Sequence, residues 1–452
     1  MSKTMIKMKN NKWLALALFA GACVAAGAAN ASIAERAQRS RVDGIDVVVY
    51  PMDVKDVVTM AGSMPLGDAM VASKSANPAV PALTAMLLQR GTTKHDKFAI
   101  SEALSQIGAQ IDIDAGTTKV DLYAKSLKQD TDTVIGLLAE QLRMPAFAPE
   151  ELTKAKTQLK AALTQRAEDA DSRAWEALAL SIFPSGSPNA PVPREDQLKA
   201  IDSVTVAQIK AFYQTYYGPA HMTLVFTGDV DQAALKASLD KAFGGWKGGV
   251  DFVRSTSGAV KPAEAVQSIP MKDKAAVSVM WAEATGLHSS DADYLPLSVG
   301  VNVLGSGFTG RLMATVRDKQ GLTYGISSSL FGSDIVDGGF MIQTSFAPEL
   351  LDKGLGSAQQ VLDTWWTGGI TAKELDARKD ALIGRFQIQL GTTDGMAMSI
   401  LATLERGRGI DWLDQYPGKV KALTVDEINA AIHKHLDPKK LVMVKAGTFA
   451  AP

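Results

Sequence analysis

At 452 residues, with 46% apolar and 21% charged side chains, the chain is long enough for two or more packed domains and too apolar to be disordered. Its 47 basic and 48 acidic residues leave a net charge of −1, which argues against a general nucleic-acid binder that would need a basic surface. The single cysteine, Cys23, excludes an internal disulfide, so stability must come from packing.

Residues 1–31 read as a secretory signal. Lys3, Lys7, Lys9 and Lys12 precede an uncharged run from Trp13 to Ala29, and Ala29-Asn30-Ala31 supplies a small-x-small cut before Ser32. The run is somewhat short for a membrane span of ~20 residues and rich in Ala and Gly, so no stable anchor is expected. The residues before Cys23 resemble a lipoprotein cut only weakly. Cleavage after Ala31 would remove four lysines and no acid, taking the net charge to −5.

The mature chain opens with a strand near 57–64, then helices near 79–90 and 97–107, strands near 109–114 and 117–126, and helices near 130–143 and 150–168. Residues 204–228, VTVAQIKAFYQTYYGPAHMTLVFTG, predict a Thr-capped amphipathic helix, a Pro and a β-branched strand. The Gly244-Gly245-Trp246-Lys247-Gly248-Gly249 run and the polar segment after it predict a linker over 246–268. The plan then repeats, with a strand near 276–284, a helix near 292–304, strands near 323–331 and 336–346, and helices near 348–366 and 372–389. Residues 423–447, LTVDEINAAIHKHLDPKKLVMVKAG, match 204–228 without a gap at an offset of 219.

The resulting expectation is an α+β fold of two homologous domains, 32–245 and 269–452, each a mixed or antiparallel sheet with helices packed on it. Such a duplicated pair tends to enclose a groove.

Two local phrases carry more. The helix PALTAMLLQRGT runs from Pro81 to Thr92, and GSGFTGRLMATVRDKQGLTYGISSSL runs from Gly305 to Leu330. With the order of elements, they resemble the pitrilysin and mitochondrial-processing-peptidase family of zinc metallopeptidases over nearly the whole mature chain. That family places H-x-x-E-H ahead of the Gly-Thr, where two imidazoles and a carboxylate share one helix face. Here those positions fall on Ala82, Ala85 and Met86, and the later helix that should bring the last ligand has no acid between Leu152 and Ala167. None of His95, His221, His288, His433 and His435 has a second His or a Glu at a spacing that completes such a motif. His95, in the polar turn after the Gly-Thr, reads as a surface residue.

Arg317 and Tyr324, by contrast, match the family's substrate-binding Arg and Tyr. A phenol donor aimed at a developing oxyanion can contribute ~3 kcal/mol to acyl transfer, and a guanidinium offers a fork of donors to carbonyls. The resemblance also places the loop of Gly305, Gly307 and Gly310, with Arg311, near the chamber entrance in contact with substrate. The glycine spacing fits neither a P-loop nor G-x-G-x-x-G.

Together these imply the non-catalytic subunit of a periplasmic heterodimer, with no metal of its own, a zinc-bearing H-x-x-E-H partner and a peptide substrate. The rival expectations are a structural scaffold and a stand-alone peptide-holding protein.

Overall fold

The computed structural model of the chain describes residues 32–71, 74–250, 266–334 and 336–449. The expected signal segment, Cys23 and residues 251–265 of the expected linker lie outside them.

Six strands form the first sheet: β1 (Gln38–Val42), β2 (Ile45–Pro51), β3 (Val57–Pro65), β4 (Gln110–Ala115), β5 (Lys119–Leu127) and β6 (Thr223–Gly228). Their order is β1-β2-β6-β3-β5-β4, antiparallel except for the parallel pair β2–β6. The second sheet runs β7-β11-β8-β10-β9, from β7 (Val266–Pro270), β8 (Val277–Ala284), β9 (Ile326–Phe331), β10 (Gly339–Phe346) and β11 (Val442–Gly447). Its one parallel pair is β7–β11. The duplication read from 204–228 and 423–447 thus extends to whole sheets, β2-β6-β3-β5-β4 corresponding to β7-β11-β8-β10-β9. Residues 266–268, expected in the linker, already belong to β7, because their backbone pairs with β11.

Among the described residues the α-helices are α1 (Ile33–Arg36), α2 (Val80–Leu88), α3 (Lys97–Gln106), α4 (Thr131–Arg143), α5 (Pro149–Glu168), α6 (Ala170–Ile182), α7 (Arg194–Ser203), α8 (Val206–Tyr216), α9 (Gln232–Phe243), α10 (Tyr294–Gly305), α11 (Leu351–Gly368), α12 (Ala372–Leu390), α13 (Thr393–Glu405), α14 (Asp411–Ala422) and α15 (Val425–His435). The repeated Thr caps form as expected: Thr205 and Thr424 each close a capping box, with Gln208 and Glu427.

β3 and β8 are buried along both faces, so each needs a layer on either side. One layer comes from the half's own helices. The other is exchanged between the halves. On the first sheet, Met396, Ala397 and Ile400 of α13 pack against Val48, Ala61 and Val225. On the second, Ala174, Leu178, Ala179 and Ile182 of α6 pack against Met280, Ala282, Val442 and Val444. At the first of these seams the buried Thr59 hydroxyl bonds that of Thr393 at 2.8 Å, and the Thr227 hydroxyl donates to the Thr393 carbonyl at 2.8 Å. A division of the chain at residues 246–268 does not anticipate this crossing.

The end of β8 holds a titrating group. Glu283 is only 7% exposed and accepts the Asp437 backbone N–H at 2.8 Å. Burial, reinforced by the Asp437 charge, pushes its carboxyl from an ordinary 4.5 up to about 8. The folded protein therefore keeps a proton that the unfolded chain has already lost, and stability falls as pH rises from about 4.5 towards 8. Glu283→Gln keeps an acceptor and removes the titration. Urea unfolding should show little difference between variant and wild type at pH 4.5 and a variant more stable by roughly 2–4 kcal/mol at pH 9; a gap that does not widen with pH would contradict this.

Candidate functional site

α2 coincides with the helix in which the family resemblance places H-x-x-E-H. Leu83, Leu87 and Leu88 anchor it in the core, the Thr84 hydroxyl folds back onto the Val80 carbonyl at 2.8 Å, and Ala85 is buried beside half-buried Ala82 and Met86. The face that would hold zinc presents two methyl groups and a thioether.

α5 packs on α2, but its nearest acid, Glu151, is neutralised. Lys154 and Lys97 bond its carboxylate at 2.7 and 3.0 Å and hold it down at about 2, and Arg90 lies 3.5 Å away. Arg90 also bonds Gln158 on the same helix. Among the described residues no group of three or more His, Cys, Asp or Glu side chains is arranged to hold a metal ion. The donor set at α2 therefore does not fit zinc. His95, read as a surface residue, is half exposed but engaged: its Nδ1 lies 2.9 Å from the buried Glu140, which also accepts the Thr92 hydroxyl.

The segment carrying Arg317 and Tyr324 is built on a fixed mount. α10 ends at Gly305, a loop follows, and Met313–Lys319 winds as a π-helical turn, the wider coil that often marks functional sites. Leu312, Val316 and Leu322 bury themselves beneath it. Gly321, at φ +63°, turns the chain back, and the Thr323 hydroxyl ties the loop to the Ser345 carbonyl at 2.7 Å while accepting the Gly325 N–H at 3.1 Å. The backbone on either side of Tyr324 is thus pinned, while its side chain stands 90% exposed.

Arg317 lies between two rings, its guanidinium carbon 5.2 Å from the centroid of Phe308 and 5.7 Å from that of Tyr324. Phe308 is itself 69% exposed. Sequence reasoning passed over it; the available signal was an aromatic residue set between glycines in a loop. Beside this stack runs a groove of about 400 Å³ lined by Gly307, Phe308, Met313, Ser327 and Gln343, and by Asp171 of α6 from the other half.

The glycines and Arg311 divide their roles. A Cβ on Gly305 would come within 2.5 Å of the Ser328 nitrogen, and one on Gly310 within 2.9 Å of Gly305, so both permit close packing. Gly307 alone of the three lines the groove, at φ +64°. Arg311, grouped with the substrate loop by its place in the phrase, is committed elsewhere: it grips Glu374 through two bonds of 2.6 and 2.7 Å and the Gly369 carbonyl at 2.9 Å. That contact holds the Glu374 carboxyl down at about 2. Arg378, only 9% exposed, clamps the same loop through the Ser306 carbonyl at 3.1 Å and the Thr309 hydroxyl at 3.3 Å.

Comparison with known proteins agrees with this architecture. A family model described as insulinase (peptidase family M16) matches residues 82–184, and one described as the peptidase M16 inactive domain matches residues 203–382. The chain is 22% identical to an uncharacterized zinc protease, YmxG, of Bacillus subtilis, over 75% of this chain and 81% of that one. It is 22% identical to a non-peptidase homolog, also named YmxG, of Helicobacter pylori, over 78% and 81%. In structure it resembles a peptidase M16 inactive domain from Pseudomonas fluorescens, with a TM-score of 0.80 and 24% identity, covering 92% of this chain and 99% of that one. Two family models that together span more than half of the sequence place the chain in the M16 (insulinase) peptidase family.

Proposed function

We propose that the chain is the substrate-gripping subunit of a periplasmic heterodimeric zinc peptidase. It would contribute Arg317 and Tyr324 to a composite site that a zinc-bearing H-x-x-E-H partner completes. The observation that carries this reading is an asymmetry: hydrocarbon stands at Ala82, Ala85 and Met86, while a fully presented phenol stands on a pinned loop at Tyr324. A scaffold has no need of an exposed phenol and guanidinium held together. The lysine-led apolar run before Ser32 supports export.

In this arrangement the metal and the activated water belong to the partner. On this chain, the Tyr324 hydroxyl donates to the scissile carbonyl oxygen as it gains charge, and Arg317 holds the peptide backbone. The groove beside Phe308 receives the rest of the peptide.

The test is co-purification from the native cell, followed by metal analysis and a peptide cleavage assay. The isolated chain should carry no stoichiometric zinc and cleave nothing, whereas the complex should cleave. Peptide binding by the chain alone, together with inertness in the presence of every co-purifying protein, would make it a stand-alone peptide holder instead.

A further inference from the structure

A second cavity, of about 310 Å³, opens between α5, α6 and α7, and its chemistry is unlike that of the groove. Its lining includes the apolar Leu163, Trp175, Pro191 and Val192. Trp175 is fixed edge-on against Phe331 of β9 at 5.2 Å between centroids. The same lining carries two arginines, Arg166 and Arg194, and one acid, Glu176.

The arginine charge is poorly met by the protein. The closest approach of Arg194 to Glu176 is 3.8 Å, longer than a hydrogen bond, and the same carboxylate is shared with Arg173 at 3.7 Å and with the Arg194 backbone N–H at 2.9 Å. The Arg194 Nη1 is buried with no hydrogen-bond partner. A guanidinium taken largely out of water without a bonded counter-charge is costly unless something pairs with it. Arg194 also opens α7, where the helix adds partial positive charge instead of offsetting it.

We infer that this pocket binds a carboxylate carried on an apolar body of roughly ten heavy atoms. The acid would sit between Arg166 and Arg194, and the apolar part would lie against Trp175. Two sources share that chemistry, a small organic acid and the free C-terminus of a peptide. Helix α6 borders both cavities, Ser172 lining this pocket and Asp171 the groove.

The inference is tested on the purified chain alone, so it stands or falls apart from the composite-site reading. The chain is titrated calorimetrically with N-acetyl-phenylalanine, its neutral amide and phenylacetate. N-acetyl-phenylalanine should bind, with the amide weaker by about tenfold or more, since a charge-assisted bond is lost. Arg194→Gln should weaken the acid by a similar factor and leave the amide unchanged. Arg166→Gln, at an exposed position of α5, repeats the test without risk to folding. Preference for N-acetyl-phenylalanine over phenylacetate points to a peptide C-terminus, and equal binding points to a small acid. No binding of either acid at millimolar concentration, equal binding of acid and amide, or full affinity in both arginine variants overturns the inference.

Discussion

Tyr324→Phe should lower the turnover of the assembled complex by roughly one to three orders of magnitude, with little change in the amount of complex formed. The substitution removes one oxygen. Because the ring is 90% exposed and the loop is held by Thr323 rather than by the phenol, neither packing nor backbone geometry depends on that oxygen. The ring's contact with Arg317 survives in phenylalanine. What disappears is a donor whose value is greatest when the substrate carbonyl becomes an oxyanion, so the loss should appear in kcat and kcat/KM together. Steady-state kinetics on the complex, with circular dichroism of both forms, read this directly; wild-type turnover in the variant would defeat the composite site.

The second large effect concerns the crossing helices. Ile400→Ala should cost about 2–5 kcal/mol, the range for truncating a fully buried aliphatic side chain. Its consequence should not stay in one half. Ile400 belongs to the second half of the sequence yet fills the layer over β3 and β6 of the first. Loosening α13 should therefore raise amide hydrogen exchange in β3 and in β8 together, read by mass spectrometry of peptides from each strand. Faster exchange in β3 with β8 unchanged would show that the halves open independently.

Much of this architecture was legible in the residues. The match between 204–228 and 423–447 foretold two sheets of one plan, and the Thr caps at 205 and 424 fixed where two helices begin. Helix spacing put Ala82, Ala85 and Met86 on one face, and their side chains carry no nitrogen or oxygen donor. The exchange of α6 and α13 was not legible. A period of 3.6 reveals that a helix has an apolar side, but not which sheet that side will cover. A hint lay in the uninterrupted apolar runs of β3 and β8, which lack the alternation of a sheet with one wet face.

In the β1–β2 hairpin the polar QRSRV of the edge strand carries no periodic signal, whereas the β-branched IDVVVYP of β2 did signal a strand and was passed over. Arg311 and Arg378 were opaque because their roles depend on distant partners. Glu374 lies 63 residues from Arg311, and the carbonyl that Arg378 grips lies 72 residues away.

The interlocking of the two halves bears on what the first half does for the second. A polypeptide started at β7 would bear the phenol and the guanidinium, but the side of β8 and β11 carrying Met280, Ala282, Val442 and Val444 would lie bare to water. Such a strip invites strangers and clumping before any peptide could be gripped. Residues 32–250 thus serve as a lid for their neighbour, a duty that asks for shape and greasiness and makes no demand for histidine.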